Sequence, residues 1–278
     1  MDEPKLKALL SLLDDTDQEV VNHVKEKLLS LGEDVIPVLE KEWEANFSPL
    51  VQERIENLIH QMQYVSLRDR LKAWKQNEQE NLLKGLWIIS TYQYPDLDYA
   101  QLKAQFEQLY YEAWIEYKET SSAIDEIQTL NYIFFRVMKF SPNTKNFHSP
   151  GNSMINIVLE SKKGNPISLC VIYMLIAQRM KIPLHGVNLP NLFVLMYKNE
   201  MDQFYINVFN KGLIFSRADI DNYIKQLKLS PKDSYYEPCE NLDIMIRIMR
   251  NLTICFEKLG ETDKIQEVQE LLDILIHE

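Results

Sequence analysis

Cysteine and histidine are the side chains of this sequence that could act as a nucleophile and its base. A thiolate attacks a carbonyl carbon when a nearby imidazole has taken its proton, and a helix N-terminus favours the thiolate. Cys170 lies in an apolar helical segment, His185 begins the strand-like segment that follows it, and His148 lies in a polar loop. This order would suit a cysteine-dependent amide hydrolase or acyl transferase. The structural interpretation of the same residues is a small buried thiol and histidines of the surface or core.

The residues of several other chemistries are missing from the sequence. The three cysteines are odd in number and widely spaced, so they predict neither a disulfide framework nor a CxxC motif. The HExxH spacing of zinc proteases, the glycine-rich phosphate loops and the GxSxG nucleophile motif are also absent. We therefore expect no bound metal and no cofactor.

The composition predicts a globular, helix-rich protein. Apolar residues make up 46% and charged residues 26% of the 278 residues. The chain has 7 glycines, whereas a usual share of ~7% would give about 19. Few glycines leave little material for tight hairpins.

The net charge and the hydropathy pattern limit the classes of binding partner and the cellular compartment that we expect. A net charge of −11 gives no electrostatic attraction to nucleic acid or to an anionic membrane. The acidic start Met1-Asp2-Glu3-Pro4 lacks the basic and apolar stretches of a signal peptide, and the longest apolar run, residues 169–177, is too short to span a bilayer. We expect a cytoplasmic protein that binds neither nucleic acid nor membrane.

The first sixty residues show helical periodicity in two pairs of segments. Thr16 with Glu19 predicts a capping box for the second helix, Asp34 a cap for the third, and Ser48-Pro49 the start of the fourth. Each pair needs a neighbour to cover its apolar face, which suggests a repeat of roughly 30 residues. The array is similar to HEAT repeats, and an unrelated four-helix subdomain is the alternative.

Residues 67–140 continue the helical pattern and are rich in aromatic residues, which we assign to the core because such side chains bury large areas. These aromatic residues are Trp74, Trp87, Tyr92, Phe106, Tyr110, Trp114, Tyr117, Phe134 and Phe135. The polar segment 141–150 contains two prolines and is predicted to be a loop.

The second half of the chain combines helices with a small sheet. A turn at residues 162–166 precedes an apolar helix that runs to about Met180. Apolar residues then alternate with period two through residues 187–189, 193–197 and 204–208, which predicts antiparallel strands. Ser216 and Asp219 predict a capped helix, and residues 241–259 and 262–276 predict a helix hairpin with Gly260 at its break.

Four sequence words resemble the SirB-type branch of the transglutaminase-like superfamily. They are Leu130-Asn131-Tyr132-Ile133-Phe134, Gly164-Asn165-Pro166-Ile167-Ser168-Leu169, Gly186-Val187-Asn188-Leu189-Pro190 and Phe209-Asn210-Lys211-Gly212. The resemblance covers about residues 68–230. It implies a papain-like arrangement in which a helix precedes antiparallel strands. That branch often ends in tetratricopeptide-like helices, and HEAT-like additions fit some bacterial members.

The resemblance also implies where a catalytic triad would lie. The nucleophile position falls at or within about two residues of Ser168. The histidine position, a Gly-His-Phe word in catalytic-looking relatives, reads Asn191-Leu192-Phe193, and the third position is Asn207. Leucine cannot transfer a proton, so we interpret the triad as degenerate.

We therefore predict a predominantly helical α+β protein with a transglutaminase-like core and flanking helical repeats. The predicted domains are HEAT-like helices at 1–65, the core at 66–230 and a tetratricopeptide-like hairpin at 231–278. The predicted function is a non-catalytic regulatory or scaffold protein that binds a protein partner. The alternative is a cysteine-dependent amide hydrolase or acyl transferase that acts on a peptide, with Cys170 and either His185 or His148.

Overall fold

The computed structural model describes residues 3–118 and 122–277, so the acidic start Met1-Asp2 lies outside the described residues. The chain forms two compact units, an N-terminal unit (Met1–Arg70) and a C-terminal unit (Leu71–Glu278). The helices and the small antiparallel sheet confirm the predicted α+β class. Over the described residues, every helix is too short or too polar to cross a bilayer.

The predicted helices of the first sixty residues are confirmed. They are α1 (Glu3–Ser11), α2 (Gln18–Leu29), α3 (Ile36–Ala45) and α4 (Pro49–Asn77). Their leucine, valine and isoleucine faces meet in one buried cluster that includes Leu13, Leu28 and Ile55. The Arg54 guanidinium ties the α1–α2 connection to α4, since Nη1 donates to the carbonyl of Leu13 at 2.5 Å.

The predicted ends of these helices differ in detail. Asp17, not Thr16, is the cap of α2, and its carboxylate accepts from the Glu19 amide at 2.8 Å. Asp34 does not cap α3, because residues Glu33–Val35 form a 3₁₀ turn that leads directly into it. Helix α4 continues well beyond Ile59, since no glycine or proline interrupts it before residue 77.

The aromatic-rich segment forms α5 (Leu82–Ser90), α6 (Tyr99–Glu116) and α7 (Ala123–Tyr132), which continues as a π-helical turn over Ile133–Val137. Phe134 confirms the core assignment, because it stacks on Phe140 with 4.5 Å between ring centroids. For Trp114 the core assignment is wrong, since its residue is 61% exposed. The buried stripe of α6 runs through Leu102 and Ala113, and one further residue turns the side chain about 100° away.

Helix α8 (Ile155–Ser161) and helix α9 (Pro166–Arg179) follow the polar segment. That segment is held in place, because its first residues form strand β1 (Ser141–Pro142) parallel to β2 (Lys163–Gly164). The buried Asn152 amide donates to the carbonyls of Asn146 at 2.8 Å and Phe147 at 2.9 Å. The loop is therefore fixed close to the start of α9.

Helix α9 is apolar on all sides and is buried at most of its positions, as expected for a central helix. It packs against an antiparallel meander of β3 (Leu184–Leu189), β4 (Leu192–Lys198), β5 (Gln203–Asn207) and β6 (Leu213–Phe215). The sheet confirms the predicted strands, and β6 is an additional one. The alternating apolar pattern did not extend to these last three residues.

The two faces of the sheet contact different helices. Val187, Val194 and Tyr205 lie on one face and form a buried cluster with α10 (Arg217–Gln226). Gly186 and Phe193 lie on the other face, where Gly186 lines a cavity together with residues of α9 and α11 (Asn241–Leu259). Helix α12 (Thr262–Ile276) completes the predicted hairpin, with Gly260 in the left-handed conformation between α11 and α12.

Candidate functional site

Ser168, the residue at the nucleophile position, is the third residue of α9. Its Oγ accepts a hydrogen bond from the Asn165 amide at 3.0 Å, and its own amide donates to Asn165 Oδ1 at 2.9 Å. This reciprocal capping box satisfies two backbone donors at the helix N-terminus. The Ser168 hydroxyl also lies against Gly164, where a Cβ would collide with it. The Ser168 side chain therefore has a structural role.

Leu192 and Asn207 lie on the sheet, at the start of β4 and the end of β5. Leu192 is opposite Leu189 in the register and packs against the cluster that contains Val187 and Val194. Its side chain thus lies on the α10 face. Asn207 ends β5, and its Oδ1 accepts from the Asn210 amide at 3.0 Å, which caps the following 3₁₀ turn.

Cys170, the alternative nucleophile, lies fully within the core between α9 and β4. Its Sγ is 3.5 Å from the carbonyl oxygen of Phe193, to which the thiol donates. Burial raises the pKa of the Cys170 thiol far above its ordinary value. A thiol in this environment is protonated at neutral pH and is a poor nucleophile.

The structure does not bring Cys170 together with either candidate base. His185 pairs with Met196 in the register, so its side chain belongs to the sheet face of Val187, away from α9. Burial and the nearby Lys198 lower the pKa of His185. His148 is exposed in the polar loop and stands edge-on to Phe147, with 5.2 Å between ring centroids.

Each of the two other cysteines lines a pocket that a candidate histidine also lines. Cys239 lines a cavity together with His185, and Cys255 lines a groove together with His148. Burial raises the pKa of Cys239 to about 12 and that of Cys255 to about 11. Both thiols are therefore protonated at neutral pH. Cys239 is positioned by its backbone amide, which donates to the Gly186 carbonyl at 2.8 Å, and Cys255 is positioned by α11. Sequence spacing reveals neither placement.

Across residues 3–118 and 122–277, no group of three or more histidine, cysteine, aspartate or glutamate side chains is arranged to hold a metal ion. All three cysteines are free thiols. The residues around α9 thus cap the helix and pack in the core. Among the described residues, the Cys170 thiol contacts a backbone carbonyl and not an imidazole.

Comparison with known proteins identifies the family of the C-terminal unit. A family model of the transglutaminase-like superfamily matches residues 100–250, more than half of the chain. This chain belongs to the transglutaminase-like superfamily. The match spans α9 and the whole sheet, so the positions of Ser168, Leu192 and Asn207 all lie within the transglutaminase-like region.

Curated relatives of this transglutaminase-like chain come from bacteria and animals. A UPF0162 protein of Xylella fastidiosa strain 9a5c is 27% identical over 196 residues, which are 66% of this chain and 67% of that protein. A UPF0162 protein of Pasteurella multocida is 29% identical over 121 residues, 44% of this chain and 46% of that protein. F-box only protein 21 of Mus musculus is 22% identical over 253 residues, 80% of this chain but 40% of that protein. No solved structure matches the chain.

A contact between Asn131 and Gly212 gives a structural reason for two of the four motifs that resemble the family. The Asn131 amide donates to the carbonyl of Gly212 at 3.0 Å, and Tyr173 of α9 donates its hydroxyl to Asn131 Oδ1 at 3.0 Å. Gly212 has a φ of +73°, and a Cβ there would collide with the Asn131 side chain. The words around Asn131 and Gly212 therefore fasten α7 and α9 to the sheet.

Proposed function

We propose that this protein is a non-catalytic regulatory or scaffold protein whose degenerate transglutaminase-like core, of the SirB type, binds a protein partner. In this proposal residues 1–65 are HEAT-like repeats, residues 66–230 are the core, and residues 231–278 are a tetratricopeptide-like hairpin. The proposed setting is the cytoplasm, and no nucleic acid or membrane takes part.

One observation carries the proposal: each position of the triad has a structural task. Ser168 closes a capping box, Leu192 packs in an apolar cluster, and Asn207 caps a turn. A missing general base alone removes about 10²- to 10⁴-fold of rate, and leucine cannot supply one. These residues support stability of the fold rather than proton transfer.

The burial of the cysteines argues against the hydrolase or acyl-transferase alternative. Cys170 is fully buried, and the part of the chain that the structure describes gives its thiol a backbone carbonyl partner instead of an imidazole. A reaction at this sulfur would require both exposure of the thiol and a base that reaches it.

The likeness to F-box only protein 21 supports a modular role. The matched segment is 40% of that protein, so a chain of this kind also occurs as part of a longer protein. The helical segments proposed at both ends of this chain would give a scaffold further surfaces for partners.

The test follows the fate of a captured partner. The tagged chain is used to isolate its complex from the native cytosol, and the complex is kept at 25 °C while the intact mass of the partner is measured. We expect a stable complex whose partner keeps its mass. A partner that is cleaved, deamidated or cross-linked by the wild-type chain, but not by Cys170→Ala, would establish the enzyme alternative.

A further inference from the structure

A groove of about 180 Å³ opens at the N-terminus of α9 and has an unusual charge pattern. Its walls come from the start of α9, the β3–β4 turn, the polar loop and α11, and they include Asn165, Asn191, His148, Arg247 and Asn251. None of its lining residues is acidic, although the chain as a whole carries a net charge of −11.

Arg247 is the cation of this groove, and it is held in place without a counter-ion. Its Nη1 donates to Asn188 Oδ1 at 3.1 Å and to the carbonyl of Leu189 at 3.4 Å. Within the described part of the chain, no carboxylate pairs with Arg247 and no further hydrogen bond engages its guanidinium. Burial lowers the pKa of Arg247, and the positive charge of Arg250 lowers it further.

A half-buried guanidinium without an acidic partner costs desolvation free energy that a bound carboxylate would offset. Two of the five N–H donors of a guanidinium suffice for a bidentate carboxylate. Because the Asn188 and Leu189 contacts hold one end of the Arg247 group, its other donors are already oriented.

Amide side chains line the same groove as Arg247. Among the described residues, neither the Asn191 nor the Asn251 side chain has a hydrogen-bond partner, so both can bind a ligand. The backbone of Asn191 has a φ of +58° and Tyr223 donates its hydroxyl to the Pro190 carbonyl at 2.8 Å, which fixes the turn.

An apolar rim completes the groove. Phe147 and Ile254 line it and are each 44% exposed. Phe147 is supported by the ring of Phe209, with 6.0 Å between centroids. Exposed large apolar side chains beside a polar pocket are typical of protein-binding sites.

We propose that this groove binds an acidic segment of a protein partner, with one carboxylate of the segment on Arg247 and Asn251 and a neighbouring apolar side chain against Phe147 and Ile254. The inference rests on the proposed function, for which it names the binding site and the chemistry of the partner. The charge complementarity selects an acidic peptide, because every other lining residue is neutral, imidazole or amide.

The test compares two capped tripeptides that differ in one charge, acetyl-Leu-Glu-Leu-amide and acetyl-Leu-Gln-Leu-amide. Each is titrated to millimolar concentration into the full chain while the methyl NMR signal of Ile254 is followed. We expect the glutamate peptide to shift this signal saturably and to bind about tenfold tighter than the glutamine peptide, since a hydrogen bond to a charged group contributes about that much.

Arg247→Gln removes the charge but keeps an amide donor for Asn188, and Arg250→Gln is the matched control on an exposed residue of the same helix that does not line the groove. The preference for the glutamate peptide should vanish in Arg247→Gln and persist in Arg250→Gln. Equal binding of the two peptides, no saturable shift, or an equal loss in both variants would overturn the inference.

Partner capture separates this inference from the proposed function. A partner that wild type and Arg247→Gln retain equally would overturn the groove as the binding site, while the scaffold role stands. A wild-type chain that retains no partner contradicts the scaffold role, and the peptide titration then decides the groove independently.

Discussion

At the scale of single residues, the start of α9 shows how a position of a catalytic triad can serve the fold. The Asn165 side chain accepts from the Ser168 amide, and the Ser168 side chain accepts from the Asn165 amide. Both residues are buried, so neither donor could bind water instead. The Ser168 hydroxyl donates its own proton to the Asn165 carbonyl at 3.3 Å, whereas a nucleophilic serine would donate it to a base.

Removal of the cap acceptor tests this role. We expect Asn165→Ala to lower the free energy of unfolding by about 1 kcal/mol, the usual cost of losing an N-cap side chain. Asn165→Ser keeps an acceptor and should lose less. Urea denaturation of the three proteins measures the difference, and equal stabilities of wild type and Asn165→Ala would show that the box contributes nothing.

The buried thiols predict a dependence of stability on high pH. Burial raises the pKa of Cys255 from its ordinary 9.0 to about 11, so the folded state favours the protonated thiol. Its contribution to stability is complete below pH 9 and is lost as the pH rises toward 11, because the unfolded chain releases the proton first.

Cys255→Val removes this titration while it keeps an apolar side chain. We expect the free energy of unfolding to fall less steeply between pH 9 and 11 in the variant than in wild type, as measured by urea denaturation at each pH. Tyrosines titrate in the same range in both proteins, so the difference between the slopes is the test. Identical slopes would place the Cys255 thiol in contact with water.

At the scale of elements, one close approach joins α7, α9 and the sheet. Gly212 and Gly260 have nearly the same positive φ, +73° and +74°, but a Cβ on Gly212 would collide with the Asn131 amide, whereas a Cβ on Gly260 would meet nothing within 4 Å. The pair therefore separates the cost of the backbone conformation from the cost of the contact.

Alanine at each glycine measures these two costs. Gly260→Ala should destabilise by about 1–2 kcal/mol, the strain of a left-handed alanine. Gly212→Ala should destabilise by roughly 2 kcal/mol more, since it also displaces the hydrogen bonds of Asn131. Thermal unfolding of both variants tests the order, and equal losses would mean that the Asn131 contact does not constrain the glycine.

Sequence patterns predict the ends of helices well where one residue, such as a glycine or a capping serine, determines the backbone conformation there. The hairpin of α11 and α12 follows from Gly260, and the start of α10 follows from Ser216, whose capping box with Asp219 is present. The cap at Thr16 was wrong because the neighbouring Asp17 is an equally good acceptor, and sequence alone does not choose between them. The residue type of Trp114 favours the core, but the buried stripe of α6 leaves this side chain outside it.

At the scale of the whole molecule, the groove at α9 could not be predicted. Its lining residues come from segments around residues 147, 165, 191 and 251, which only the packed fold brings together. The family resemblance marks Ser168, Leu192 and Asn207, but the sequence gives no sign that Arg247 is half-buried and hydrogen-bonded to Asn188. Whether a charged side chain such as Arg247 lacks an acidic partner depends on its folded environment, and the spacing of residues in the sequence does not reveal it.

A non-catalytic core lacks a reactive thiolate, and the rate at which iodoacetamide alkylates each cysteine at pH 6 tests this property. Mass spectrometry of the native and the urea-unfolded chain would give separate rates for Cys170, Cys239 and Cys255. Because burial raises the pKa of all three thiols, we predict that each reacts no faster in the native protein than in the unfolded chain. A native thiol that reacts faster, and that slows when His148 or His185 is replaced by phenylalanine, would show that the core holds a thiolate activated by an imidazole.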